Sequence, residues 1–213
     1  LEVRAFTAGW ARADAAASRL LPLWLATHPR DLAAWTLLAE VARRRGDVDG
    51  RTHALTRLAR LDAGPTTATA LAEHLASTGS TAQAIAAYRA VLDAGLTLEA
   101  GALEQLAVLL EQNGQFGDAL QVLAQRQQMH GSRADLLLRE ARLRRWTADA
   151  AGAVAAFARA LQLDAGLAGD RRVQADYARG LAELARWDEA AVALAAALPL
   201  DLPAAASDPD LHR

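Results

Sequence analysis

Trp187-Asp188-Glu189-Ala190-Ala191-Val192-Ala193-Leu194-Ala195-Ala196-Ala197-Leu198 sets an aromatic, two acids and then an Ala/Leu face at helical spacing. The phrase recurs. Phe116-Gly117-Asp118-Ala119-Leu120-Gln121-Val122-Leu123 restates it, and so do residues 153–161 and 84–92. Aligned on the small residue, the anchors are Ala17, Arg51, Ala84, Ala119, Ala153 and Ala190, at steps of 34, 33, 35, 34 and 37 residues. A nearly constant period of this size marks an array in which each unit buries its apolar face against its neighbours. Arg51 breaks the small-residue rule, so the second unit is the least regular at that slot.

Composition agrees with helices. Apolar residues are 53% and charged residues 23% of the 213, which is globular rather than disordered. Much of the apolar share is Ala, the best helix former. Val and Ile are few, which argues against sheets. The net charge of −2 removes the basic excess expected of a duplex-binding protein. Every basic residue other than His is Arg and none is Lys. A coding bias is enough to account for this, whereas selection of Arg forks for anions needs a cluster. The absence of Cys excludes disulfides and Cys-based metal sites; it also fits a periplasmic chain. No apolar run is long enough to span a membrane, and no stretch of it reads as a signal peptide. The chain starts at Leu1, as a mature form or a piece of a longer protein does.

The period predicts units of about 1–30, 31–64, 65–97, 98–131, 132–166 and 167–202, each a helix A, a tight turn and a helix B. Residues 203–213 are a linker or the start of a further unit, with Ser207-Asp208-Pro209-Asp210-Leu211 reading as a cap and a first helical turn. In unit two, helix A covers about Leu32 to Arg45, Gly46-Asp47 turns, and helix B covers about Val48 to Leu61. Gly79, Asn113-Gly114 and Thr147-Ala148-Asp149 mark later turns, and Pro65 suits the start of a helix. Helix B of unit three is expected over Thr81 to Asp93, and that of unit four over Phe116 to Met129. In unit one, Phe6 and Trp10 are placed on helix A, and Leu20, Leu21, Trp24 and Leu25 on helix B. Pro22 should kink that second helix or push its start to Leu21. Three extra residues precede helix A of unit six, near Leu167 to Arg171.

These units resemble tetratricopeptide repeats over essentially the whole chain. The matching residues are Trp35-Thr36-Leu37-Leu38-Ala39 and Gly46, then Tyr177-Ala178, Leu181, Trp187-Asp188-Glu189-Ala190, Leu194 and Ala197-Leu198-Pro199. The resemblance implies an all-α, right-handed superhelical solenoid of about six helix-turn-helix units with a concave groove. It also implies that helices A line the groove. The corresponding residues are Phe6, Trp10, Thr36, Glu40, Arg43 and Arg44 in units one and two. Units three and four offer Thr69, Glu73, Glu104, Val108, Glu111 and Gln112. Units five and six offer Leu138, Arg142, Arg145, Arg172 and Arg179. Such a groove is acidic in its middle and basic toward the C-terminal end. Arg139, Arg142, Arg145 and Trp146 stand out, since Arg beside Trp is a common interface composition. The alternative is that all of these are solvated helix faces. The Lys/Asn carboxylate clamp by which some members bind chaperone tails has no counterpart in a chain without Lys.

No residues point to catalysis. His28, His53, His74, His130 and His212 fall in different units, with no His pair at metal-ligand spacing. His130, before Gly131, reads as a helix C-terminus. The acids lie on repeating helices without a shared pocket, and neither a phosphate loop nor a serine elbow occurs. Trp10, Trp24, Trp35 and Trp187 are expected in the core rather than against a ligand. The sequence thus reads as a non-enzymatic scaffold, a fragment of a larger protein, with a protein or peptide partner. No cofactor, no nucleic acid and no membrane insertion by this segment are expected. In style the repeats also resemble the periplasmic segments of bacterial exopolysaccharide exporters, which recruit polysaccharide-modifying enzymes. Polysaccharide contact is an option that no residue supports. An arm of a glycosyltransferase-type enzyme is a further alternative.

Overall fold

The computed structural model describes residues 2–62 and 64–197, with side chains from residue 13 onward. Eleven α-helices and one short 3-10 helix occupy them, with no strand among the described residues. The chain divides into two compact units at the Asn113-Gly114 turn. The first holds α1 (Glu2–Thr27), α2 (Leu32–Arg45), α3 (Val48–Leu61), α4 (Pro65–Ser77), α5 (Thr81–Asp93) and α6 (Ala100–Gln112). The second holds α7 (Phe116–His130), α8 (Ala134–Trp146), α9 (Ala150–Leu163), the 3-10 turn Ala165–Gly169, α10 (Arg171–Glu183) and α11 (Trp187–Ala197).

Local chemistry sets these boundaries. The Asp31 carboxylate accepts from Ala34 N at 3.0 Å and starts α2. The Asp47 carboxylate accepts from Gly50 N at 2.8 Å and starts α3. Each satisfies a backbone donor that the first turn leaves without a partner. Between the two helices Gly46 takes a left-handed φ of 70°, which a side chain disfavours. Pro65 opens α4, where its missing N–H costs nothing.

The anchor residues sit where paired helices cross. Ala84, Ala119 and Ala153 are fully buried and Ala190 nearly so. A larger side chain there would push the helix axes apart. In the second unit, Leu137, Leu138 and Ala141 of α8 close on Ala156, Phe157 and Ala160 of α9, with Val173 of α10 behind them. Burying a side chain such as Phe157 stabilises by about 3 kcal/mol. Gly180 of α10 faces α9 closely; a Cβ there would lie 3.1 Å from Val154 Cγ2.

Several expectations need correction. Unit one is not a helix pair: α1 runs unbroken through 26 residues. The Ala-rich run between Ala11 and Ala17 has high helix propensity and no breaker. The helix also continues through Pro22 instead of restarting at Leu21. Trp24 and Trp187 are not core residues, being 50% and 65% exposed. Trp24 lies on the side of α1 away from buried Leu25, stacked flat on His28 at 3.9 Å, and its indole N–H donates to Asp31 at 2.9 Å. Trp187 begins α11, and among the described residues no ring packs on it. Leu138, placed on the groove by the repeat pattern, is buried against α9. Trp35 is buried as expected, its N–H satisfied by Pro29 O at 3.0 Å. The Phe6 and Trp10 side chains and the Ser207-to-Leu211 cap lie outside what is described.

Candidate functional site

In the first unit the candidate residues of α2 form a charge cluster. Glu40 accepts from Arg43 Nε at 2.8 Å and Nη2 at 2.7 Å, and from Arg44 Nη1 at 3.0 Å. Arg44 reaches back to α1, donating through Nε and Nη2 to Asp14 at 2.9 and 2.7 Å. Asp14 is 7% exposed, so this fork is part of the α1–α2 contact. The Arg43 hydrogen bonds, opposed in part by burial, hold the Glu40 carboxyl at about 2. The Arg44 hydrogen bond lowers Asp14 likewise. Thr36 spends its hydroxyl on Leu32 O at 2.8 Å. On α4, Glu73 is exposed and Thr69 half-buried; on α6, Glu104, Val108 and Glu111 are half-buried and Gln112 is exposed.

The second unit brings together Arg142, Arg145 and Arg179. All three point at one carboxylate, Asp176 of α10. Arg142 Nε lies 3.7 Å from it, Arg145 Nη1 3.6 Å and Arg179 Nη1 3.2 Å. Arg145 also contacts Glu183 at 3.2 Å. Three cations thus share two acids between α8 and α10, with Arg142 and Arg179 exposed and Arg145 and Asp176 half-buried. The distances are long for charge-assisted hydrogen bonds. Trp146 is not part of this group. It is 58% exposed and turns to α7, where its ring meets Phe116 at 5.1 Å. Arg139 is half-buried on α8, and Arg172 is exposed in the first turn of α10.

Solved structures are similar to this chain. YrrB, described as a TPR protein with an unusual peptide-binding site, matches at a TM-score of 0.65 and 13% identity, over 83% of this chain and 90% of YrrB. The fold is the tetratricopeptide-repeat fold. MamA matches at 0.63 and 19% identity, over 78% of this chain and 90% of MamA. A MamA fragment from Desulfovibrio magneticus RS-1 matches at 0.58 and 15%, over 77% of this chain and 91% of the fragment. No family profile and no curated protein matches the sequence.

Within the tetratricopeptide fold, Asp176 and Glu183 are residues that sequence reasoning missed. The signal was available. Shifting helix A of unit five onto that of unit six by 37 residues puts Asp176 in the slot of Arg139 and Glu183 in the slot of Trp146. Asp176 thus stands as an acid where unit five has the basic Arg139, and Glu183 as an acid where unit five has Trp146. Asp14 had no such signal, because its partner Arg44 lies 30 residues away on the next helix.

Proposed function

We propose that this tetratricopeptide-fold chain is a non-enzymatic scaffold that holds a protein or peptide partner on the exposed sides of its A helices. The observation that carries this is the Asp176 cluster. Arg142 and Arg179 keep side-chain exposures of 48% and 60% while sharing one carboxylate at 3.2 to 3.7 Å. Exposed ion pairs of this kind contribute little, typically below about 1 kcal/mol. A partner carboxylate can therefore replace Asp176 as their acceptor at small cost, and a guanidinium can bind it through two hydrogen bonds. The preferred partner is an acidic segment. The peptide-binding site described for YrrB fits this reading.

The test is affinity capture with the wild-type chain and with Arg142→Glu/Arg145→Glu, circular dichroism serving as the check on folding. The double variant should lose the captured partner. Equal capture by both proteins would overturn the assignment of the α8–α10 face.

A further inference from the structure

Arginine–acid pairs elsewhere in the second unit are tight even in water. Arg186 forks Glu189 at 2.7 and 2.6 Å with side chains 43% and 55% exposed. Arg133 closes on Asp135 at 2.6 Å, again with both side chains exposed. Exposure by itself therefore does not lengthen a pair. The contacts of Asp176 are long for another reason: one carboxylate faces three guanidinium groups. Only Arg179 donates a hydrogen bond to it, at 3.2 Å. Arg142 Nε and Arg145 Nη1 stop at 3.7 and 3.6 Å, beyond hydrogen-bond reach. Arg145 has a second acceptor in Glu183 at 3.2 Å, while its Nε is buried without a partner.

The repeat shows how the acid comes to stand there. Arg142 and Arg179 occupy the same slot of successive repeats, 37 residues apart, and Asp176 falls in the slot of Arg139. A carboxylate is thus inserted within reach of both exposed members of an arginine ladder. We infer that Asp176 is a built-in competitor for the carboxylates of an acidic partner segment, so that it lowers the affinity of the α8–α10 face instead of organising it. This rests on the reading of that face given above and adds how its affinity is set.

An organising acid holds its arginine by a fork, as Asp14 holds Arg44 at 2.9 and 2.7 Å. Asp176 forks none of its three. Without Asp176, Glu183 still holds Arg145, whereas Arg142 and Arg179 are released. With Asp176 in place, the three arginines and two acids leave one net positive charge; without it they leave two. An incoming carboxylate has to displace a tethered one that already lies beside the guanidinium groups, and tethering gives that competitor a high effective concentration. The competition is weak, because exposed pairs of this kind contribute little.

The probe is a rhodamine-labelled hexaglutamate peptide, read by fluorescence anisotropy with the full chain. Asp176→Asn keeps the shape of the side chain and removes its charge. It should bind the peptide roughly three- to tenfold tighter than the wild type, with unchanged circular dichroism. Glu183→Gln removes the same charge from the same cluster but leaves Asp176 beside the arginines, and should change affinity by less than about twofold. Equal gains from the two variants reduce the effect to net charge and overturn the inference. An unchanged or lower affinity of Asp176→Asn overturns it as well, a lower one making Asp176 an organiser. In those cases loss of binding in Arg142→Glu/Arg145→Glu leaves the reading of the face standing, so the two fail separately. Binding by Asp176→Asn with none by the wild type supports the inference. Absence of saturable binding by every protein up to roughly 1 mM overturns both.

Discussion

The two compact units share one repeat but handle tight turns and charges differently. In the first unit the left-handed turn positions are glycines, Gly46 at φ 70° and Gly79 at φ 80°. In the second, two of them are alanines, Ala148 at φ 60° and Ala185 at φ 57°. One charge cluster in each unit shows a further contrast. Arg44 grips Asp14 at 2.7 Å inside a helix contact, whereas Arg142 and Arg179, 48% and 60% exposed at the side chain, stand 3.7 and 3.2 Å from Asp176. Desolvated, forked pairs fix helices. Exposed, loosely shared pairs contribute little to stability. Arg44 ties two helices together in the first unit, and Arg142 and Arg179 stay exposed in the second.

Asp14→Ala should break this contrast most strongly. It removes the acceptor of the two-pronged Arg44 contact, leaving Arg44 to Glu40, and opens the α1–α2 contact. The thermal midpoint should fall by several degrees, while Asp176→Ala should move it hardly at all. Equal shifts in calorimetry would remove the distinction between the two clusters.

The turns come next. A left-handed backbone costs an L side chain about 1–2 kcal/mol. Ala148→Gly and Ala185→Gly should each stabilise by about 1 kcal/mol, after the extra chain entropy of Gly is subtracted. Gly46→Ala should destabilise by a similar amount; nothing lies within 4 Å of the added Cβ, so the backbone alone decides. Urea denaturation measures all three.

Tyr88 gives a smaller effect. It is fully buried in the first unit, its hydroxyl has no hydrogen-bond partner, and burial with the nearby Glu73 charge pushes its pKa up to about 12. Tyr88→Phe should be neutral to stabilising by up to about 1 kcal/mol, since an unsatisfied buried group is costly. A clear loss of stability would mean that the hydroxyl is engaged.

The smallest effect is in acid. Folding lowers the Glu40 carboxyl from 4.5 to about 2. Its contribution is complete above pH 4.5 and is lost as pH falls through about 2. Glu40 is 39% exposed at the side chain, so screening leaves roughly half a kcal/mol. Glu40→Gln should flatten the stability curve in that window by this amount.

What the sequence made legible was local. α2, α3 and α5 span the residues that period, caps and turn glycines mark, and α7 ends at His130 as expected. A cap depends on residues three apart, which a sequence displays directly. The missed features depend on neighbouring helices. Asp14 meets Arg44 across 30 residues and Arg145 meets Glu183 across 38. Leu138 and Trp24 show the same limit from two sides. Helical periodicity places each on a face, but whether a neighbour covers that face is decided by the packing of another helix. Unit one failed for a different reason: its propensity is high throughout, and nothing in a run of Ala announces where a turn belongs.

The 3-10 turn Ala165–Gly169 has a consequence for length. Three residues, 131–133, join α7 to α8, whereas seven, 164–170, join α9 to α10. Both pairs pack, so the array counts helix contacts rather than residues. The longer connector is closed at both ends by its own side chains, Asp164 accepting from Gly166 N at 2.9 Å and Asp170 from Arg172 N at 2.8 Å. Between them, Ala168 and Gly169 are exposed, and Gly169 has open space beside it. A small label carried there leaves the helices on either side in register, whereas a longer insertion pulls on the Gln174 Nε2 to Ala168 O contact of 3.2 Å that ties the connector to α10.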